Sequence, residues 1–194
     1  MSERYLTCAL MTEGRSDELF LVEVLLRQLQ QISLAGSPGF SVGPPLTVEL
    51  RTIAETASVR AEVGLLLVDF DLVFAHRDHR ESAKLDPLRL LPGHGSRLVG
   101  LVPRCETEAW TLCDPEAFRT VKGVDLALLP ARPKDVERVP DPKKLLREVL
   151  GGADAMPVLG RLGRDVRLDR LQQIPAYRAW LAELTRALKE LHFL

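Results

Sequence analysis

The sequence predicts an α/β fold: a mostly parallel four-stranded sheet flanked by helices, with a helical C-terminal extension. Three observations carry that expectation. Apolar runs of strand length alternate with segments whose apolar residues recur at helical spacing. The first such run, RYLTCALM, is nearly unbroken, as suits a strand buried on both faces of a parallel sheet. Beyond residue 114 strand patterns disappear and Pro-punctuated connectors and helical stretches take over. The 194 residues, 46% of them hydrophobic, suffice for one core. Residues 1–113 are expected to form it, and residues 114–194 to pack on it within a single globular unit.

RYLTCALM, residues 4 to 11, is the first expected strand. From Ser16, DELFLVEVLLRQLQQI has helical periodicity, with Ser16 or Asp17 placed to cap the first turn. SLAGSPGFSVGPP, residues 33 to 45, is rich in Gly, Pro and Ser and reads as loop. LTVELRTI alternates like a strand, AETASVRAEV suits a short helix, and GLLLVDFDLV reads as a further strand broken only by Asp69 and Asp71. Residues 73 to 95 are polar, contain three of the four histidines and read as loop with some helix. RLVGLVPR is a strand ending at Pro103, and ETEAWTLCDPEAF a helix that stops near Asp114 and Pro115. DPKKLLREVLG and IPAYRAWLAELTRALKELHFL supply two helices of the extension.

A formal charge of −1 gives no global attraction to polyanions, so nucleic-acid binding must rest on a local basic patch or on bridging metal ions. Cys8, Cys105 and Cys113 lack metal-ligand spacing and read as reduced core thiols rather than disulfides or a zinc site. No run approaches the twenty or so apolar residues of a membrane span, and MSERY is unlike a signal peptide, so a cytoplasmic location is expected.

In a parallel sheet ligands bind outside the carboxyl ends of the strands. Glu13, Asp69, Asp71 and either Glu106 or Glu108 are expected to converge there. Asp69 and Asp71, two apart on a regular strand, would share a face. Crowded carboxylates repel, and a divalent cation relieves them; oxygen ligands favour Mg²⁺ or Mn²⁺. Taken singly, Glu13 and Asp17 also suit a helix N-terminus, and Asp69 and Asp71 the mere end of a strand. Arg15 and Arg104 are placed to meet a phosphate, or to pair with the acids. His76, Asp78 and His79 read as a solvated loop, against metal binding or proton transfer. His94 and His192 read as surface residues, and Trp110, Trp180, Tyr177 and Phe193 as packing residues rather than base-stacking platforms.

TEGRSDELF after one strand and VDFD after another resemble the Toprim domain of topoisomerases, bacterial primases, recombination proteins and OLD-family nucleases. That pattern sets Glu-Gly at one strand end and Asp-x-Asp at another, and the likeness covers roughly residues 4 to 110. Glu-Gly-x-x-Asp resembles the OLD-like branch, with Asp17 in the place of the acid four residues on. PRCETEAWTLCDPEAF and DPKKLLREVL, with the late aromatic helix, are similar to small stand-alone Toprim-like proteins of bacteria whose function is unknown. The resemblance implies a Rossmann-like sheet. Asp69 and Asp71 would hold a first Mg²⁺ (or Mn²⁺) with help from Glu13, which alternatively serves as general acid or base, while Asp17 and Glu108 complete a second site. Lys143, or its neighbour Lys144, would bring positive charge to the reacting phosphorus.

The function so implied is Mg²⁺-dependent phosphodiester hydrolysis on nucleic acid, DNA first, in defence against phage or other foreign DNA. The alternatives are a non-catalytic regulatory subunit working beside a partner protein, and a small-molecule phosphoesterase. GRSDEL lacks the Gly-Lys-Ser/Thr ending of a Walker loop, so ATP-driven action is not implied. Neither Tyr5 nor Tyr177 sits in a strand-transfer context.

Overall fold

The computed structural model describes residues 4–36, 39–50, 56–89 and 95–194, with the backbone alone at 56, 80, 81 and 95. Chain order is β1 (Arg4–Leu6), β2 (Cys8–Thr12), α1 (Arg15–Ala35), β3 (Phe40–Val42), β4 (Leu46–Glu49), α2 (Thr56–Asp69) and β5 (Leu72–His76). A 3₁₀ turn leads into α3 (Asp86–Arg89), followed by β6 (Leu98–Leu101) and α4 (Glu108–Thr111). After three 3₁₀ turns the extension forms α5 (Pro142–Val149), α6 (Met156–Asp165), α7 (Leu168–Leu171) and α8 (Pro175–Glu190).

The main sheet has the order β4-β2-β5-β6, and every pair in it is parallel. A parallel pair, β1 with β3, prolongs it at the amino edge. Side chains alternate across the pleat. Leu10, Phe74, Val99 and Leu101 face α1 and the C-terminal helices, whereas Ala9, Met11, Val73, Ala75 and Leu98 face α2 and Leu85. The first and third main strands are neighbours, with their following helices on opposite faces. That reversal opens a crevice at the carboxyl ends of β2 and β5.

The extension shares the core of the sheet. Trp110 and Trp180 meet the Tyr177 ring edge-on, with centroids 5.1 and 4.9 Å away, and the Tyr177 hydroxyl donates to Gln28 Oε1 of α1 at 2.9 Å. Phe193 closes on Phe40 at 5.3 Å. These aromatics therefore pack, as the sequence suggested. Burial also pushes the Cys8 thiol up to about 12, in keeping with an inert core cysteine.

Helices α1 and α6 cross closely enough that a Cβ at Gly163 would lie 2.6 Å from the Phe20 carbonyl oxygen. That oxygen is backbone in a packed helix and has little room to yield. Gly163→Ala is expected to cost about 1–3 kcal/mol despite its better helix propensity, read as a lower denaturant midpoint. An unchanged midpoint would show that the helices separate freely.

Five expectations are corrected. The segment read as loop at residues 33 to 45 contains the end of α1 and strand β3, and the single strand expected at residues 4 to 11 is two, β1 and β2. GLLLV is helical: α2 runs to Asp69, and the strand begins only at Leu72. Leu65 and Val68 are 65% and 77% exposed, so the helix is apolar on its solvent face too, and a short all-apolar run does not reveal its period. Arg97 fixes where α2 ends by donating to the carbonyls of Leu67, Phe70 and Asp71. The helix expected over ETEAWTLCDPEAF is a single α-turn and a separate 3₁₀ turn. Finally, Gly14, rather than Ser16 or Asp17, is the N-cap of α1, with Asp17 and Glu18 in the first turn. The later part of LTVELRTI, residues 51 to 53, lies outside the described residues, as does His94.

Candidate functional site

The carboxyl ends of the strands gather part of the polar set the sequence suggested, together with residues it did not. Glu13 follows β2, and Asp17, 9% exposed, lies in the first turn of α1. His76 ends β5 with Arg77 and Asp78 behind it, and Glu106 to Glu108 follow β6. Lys143 enters from the first turn of α5, whose N-cap Asp141 accepts from the Lys144 N–H at 2.9 Å.

Asp69 and Asp71 are at the other end of the sheet. Asp69 is the exposed last residue of α2, and Asp71 precedes β5, one strand length or about 17 Å from the edge that carries Glu13. Asp71 has a structural role: its Oδ2 accepts from the N–H and the hydroxyl of Thr7, both at 2.8 Å, holding the junction of β1 and β2. Asp71→Ala is expected to lower unfolding stability by about 1.5–3 kcal/mol, the loss of charge-assisted hydrogen bonds, measured by chemical denaturation. Arg15 has an exposed side chain that is paired to Glu18. Glu13, Asp17, Glu108, Lys143 and Arg104 do reach the edge.

Pairing leaves acid in excess. Arg77 Nη1 donates to Glu13 Oε1 at 2.6 Å, and Lys143 Nζ is 3.4 Å from Glu106 Oε1. His76 is 1% exposed; its Nε2 is 2.9 Å from the Thr107 hydroxyl, and its Nδ1, 3.9 Å from Asp17 Oδ2, has no hydrogen-bond partner. The second oxygens of Glu106 and Glu108 are buried without partners as well.

The titration behaviour has the causes that crowding and burial impose. Burial raises Asp78 to about 6, with Glu13 and Asp17 adding to the effect. Burial raises Glu108 to about 7 even though Lys143 opposes it. Burial lowers His76 below its ordinary value against the pull of Asp17 and Glu13, so the ring is neutral near pH 7. For Lys143, burial works to discharge it, but Glu108 and Glu106 outweigh that and hold it above the usual lysine value.

Two adjoining depressions open here. One of about 610 Å³ is lined by Glu13, Asp78, Arg104 and Glu106; the other, about 520 Å³, by Glu108, Lys143 and residues of α5 and α6. The donor chemistry suits a hard cation, since carboxylate oxygens outnumber positive groups and two buried ones lack partners. As the side chains stand, no three His, Cys, Asp or Glu among the described residues are gathered closely enough to hold a metal ion.

His76 and Asp78, read from the sequence as a solvated loop, are site residues, and so are Arg77 and Thr107, to which the sequence assigned no role. A signal was present: LVFA runs directly into HRD, so His76 and Asp78 have the same strand-end, two-residue spacing that drew attention to Asp69 and Asp71.

The class these features define is an α/β protein with a mostly parallel, Rossmann-like sheet and a polar site at its topological switch point. No family model matches the chain, and neither a curated protein nor a solved structure matches it. No described helix is long and apolar enough to cross a membrane.

Proposed function

We propose that the protein is a divalent-cation-dependent phosphodiesterase acting on nucleic acid, with a Toprim-like, OLD-like arrangement in which His76-x-Asp78 stands at the strand end in place of Asp-x-Asp. The observation that carries this reading is the convergence of Glu13, Asp17, Asp78 and Glu106 with Lys143 at the crevice between β2 and β5. Glu13-Gly14 keeps its strand-end position, and Asp17 lies four residues on.

Glu13, Asp17 and Asp78 would hold Mg²⁺ or Mn²⁺, their side chains closing on the ion from the positions they now occupy. When bound, the cation supplies charge neutralisation at the phosphate and activation of a water. Lys143, kept protonated by Glu106 and Glu108, offers a positive charge to the phosphoryl oxygens as water adds to phosphorus and the ester oxygen departs. Arg77 steadies Glu13, and Arg104, lining the same depression, is placed to bind a non-bridging phosphate oxygen. His76, neutral and buried against Thr107, orients the end of β5.

The test is a Mg²⁺ and Mn²⁺ titration with single-stranded and duplex DNA and RNA. Cleavage should appear with the metal, vanish with EDTA, and fall about 10-fold to 1,000-fold in Lys143→Ala. Absence of metal-dependent cleavage on all four substrates would overturn the reading. It would favour the second one, an interaction subunit, which the exposed Leu46 on β4 and Leu65 and Val68 on α2 support.

A further inference from the structure

From the 520 Å³ cavity beside Lys143 we infer a nucleoside subsite, one that makes the substrate a strand with an unpaired base next to the scissile phosphate; the inference rests on the phosphodiesterase reading. Three features meet in that cavity. Leu146, Met156 and Leu159 give it apolar surface, of the kind on which a base stacks. Lys144 and Arg147, one helical turn apart on α5, add cations beyond Lys143 and, beside the carboxylates of Asp141 and Asp154 in the same lining, are the groups able to meet a phosphate on the far side of the sugar. Glu108 also lines it, 5% exposed, with Oε2 buried and unpartnered.

A buried carboxylate oxygen without a donor is costly, and a ligand that supplies an N–H relieves the cost. The exocyclic amines of cytosine, adenine and guanine are such donors, and carboxylates accept from them in base recognition; the one N–H of thymine, N3–H, lies between two carbonyl oxygens that repel a carboxylate. A volume near 500 Å³ falls in the range of small-ligand pockets. In a duplex the same amines are engaged in pairing and the base faces are stacked. The cavity therefore takes a base only from a single strand or from a frayed or flipped end.

The experiment measures fluorescence anisotropy of labelled 12-mers of dC, dT and abasic phosphodiester in Ca²⁺, beside hydrolysis of methyl 4-nitrophenyl phosphate, a diester without a base, in Mn²⁺. The parent should bind dC at least 10-fold more tightly than the abasic strand and more tightly than dT. Glu108→Gln should erase the preference of dC over dT. Ala155→Trp and Met156→Glu, which fill the cavity or charge its apolar surface, should each weaken dC binding at least 10-fold and leave hydrolysis of the small diester unchanged. Equal binding of dC and the abasic strand, or dC binding unaffected by both cavity variants, overturns the subsite even if the diester is cleaved. Base-dependent binding without cleavage of the small diester or of any of the four nucleic-acid substrates upholds the subsite and refutes the catalytic reading.

Discussion

Asp78→Asn is expected to reduce metal-dependent phosphodiester cleavage about 100-fold or more, while Asp69→Asn leaves the rate within about twofold of the parent. The two residues exchange the ranks that the sequence suggested. Asp78 lies at the carboxyl edge among Glu13, Asp17 and Lys143, which all act on its carboxyl, whereas Asp69 is exposed at the end of α2 at the opposite edge. Amide substitution preserves size and removes the charge that a cation requires. Glu13→Gln belongs with Asp78→Asn, and because Arg77 then loses its carboxylate partner, the double variant should lose less than the product of the single losses. Measured kcat and KM in Mn²⁺ would decide; a severe loss in Asp69→Asn beside an active Asp78→Asn would place the chemistry at the other end of the sheet.

The second large effect is on stability. Glu108 is buried, and its carboxyl is raised from 4.5 to about 7 in the folded state. The folded protein then holds a proton that the unfolded chain releases above pH 4.5. Stability therefore declines as pH rises from that value through about 7, by on the order of 2–3 kcal/mol for this group alone. Asp78 acts in the same sense up to about 6, with a smaller effect because it is half-exposed. His76 acts in the opposite sense, since its lowered value makes folding gain as the unfolded imidazole loses its proton near pH 6.5. The contribution of Glu108 is thus best read by difference. Glu108→Gln should be close to the parent at pH 5 and more stable by on the order of 2–3 kcal/mol at pH 8, in urea titrations without divalent metal. Added Mg²⁺ should stabilise the parent more at pH 8 than at pH 5, because deprotonated carboxylates bind it. A pH-independent difference between parent and variant would mean that Glu108 reaches solvent in the folded state.

Much of the fold is set by local pattern. The helical periodicity after Ser16, the strand of RLVGLVPR and the two extension helices correspond to α1, β6, α5 and α8, whereas the nearly unbroken apolar run at residues 4 to 11 is divided at Thr7 into β1 and β2. Helices α6 and α7 were not anticipated: MPVLGRLG carries two glycines and a proline, and its helix forms because Gly163 lets it lie against α1. The gathering of Glu13, Asp17 and Glu108 at one edge was also foreseeable, because residues that follow parallel strands lie on the same side of a sheet.

Only the tertiary structure decided which acids share that edge. Residues 64 to 68, GLLLV, carry no polar side chain on any face of a helix, so composition leaves open whether Asp69 ends a strand or a helix. The choice is made by burial of Val63, Leu66 and Leu67 against the sheet and by Arg97 binding the carbonyls at the helix end. Shifting the strand start to Leu72 turns Asp71 into a tie to Thr7 and brings His76 and Asp78 to the crevice. The titration of Glu108 and Asp78 is likewise a product of folding, since it depends first on burial and then on charges from other elements, Lys143 and Asp17 for Glu108 and Glu13 and Asp17 for Asp78.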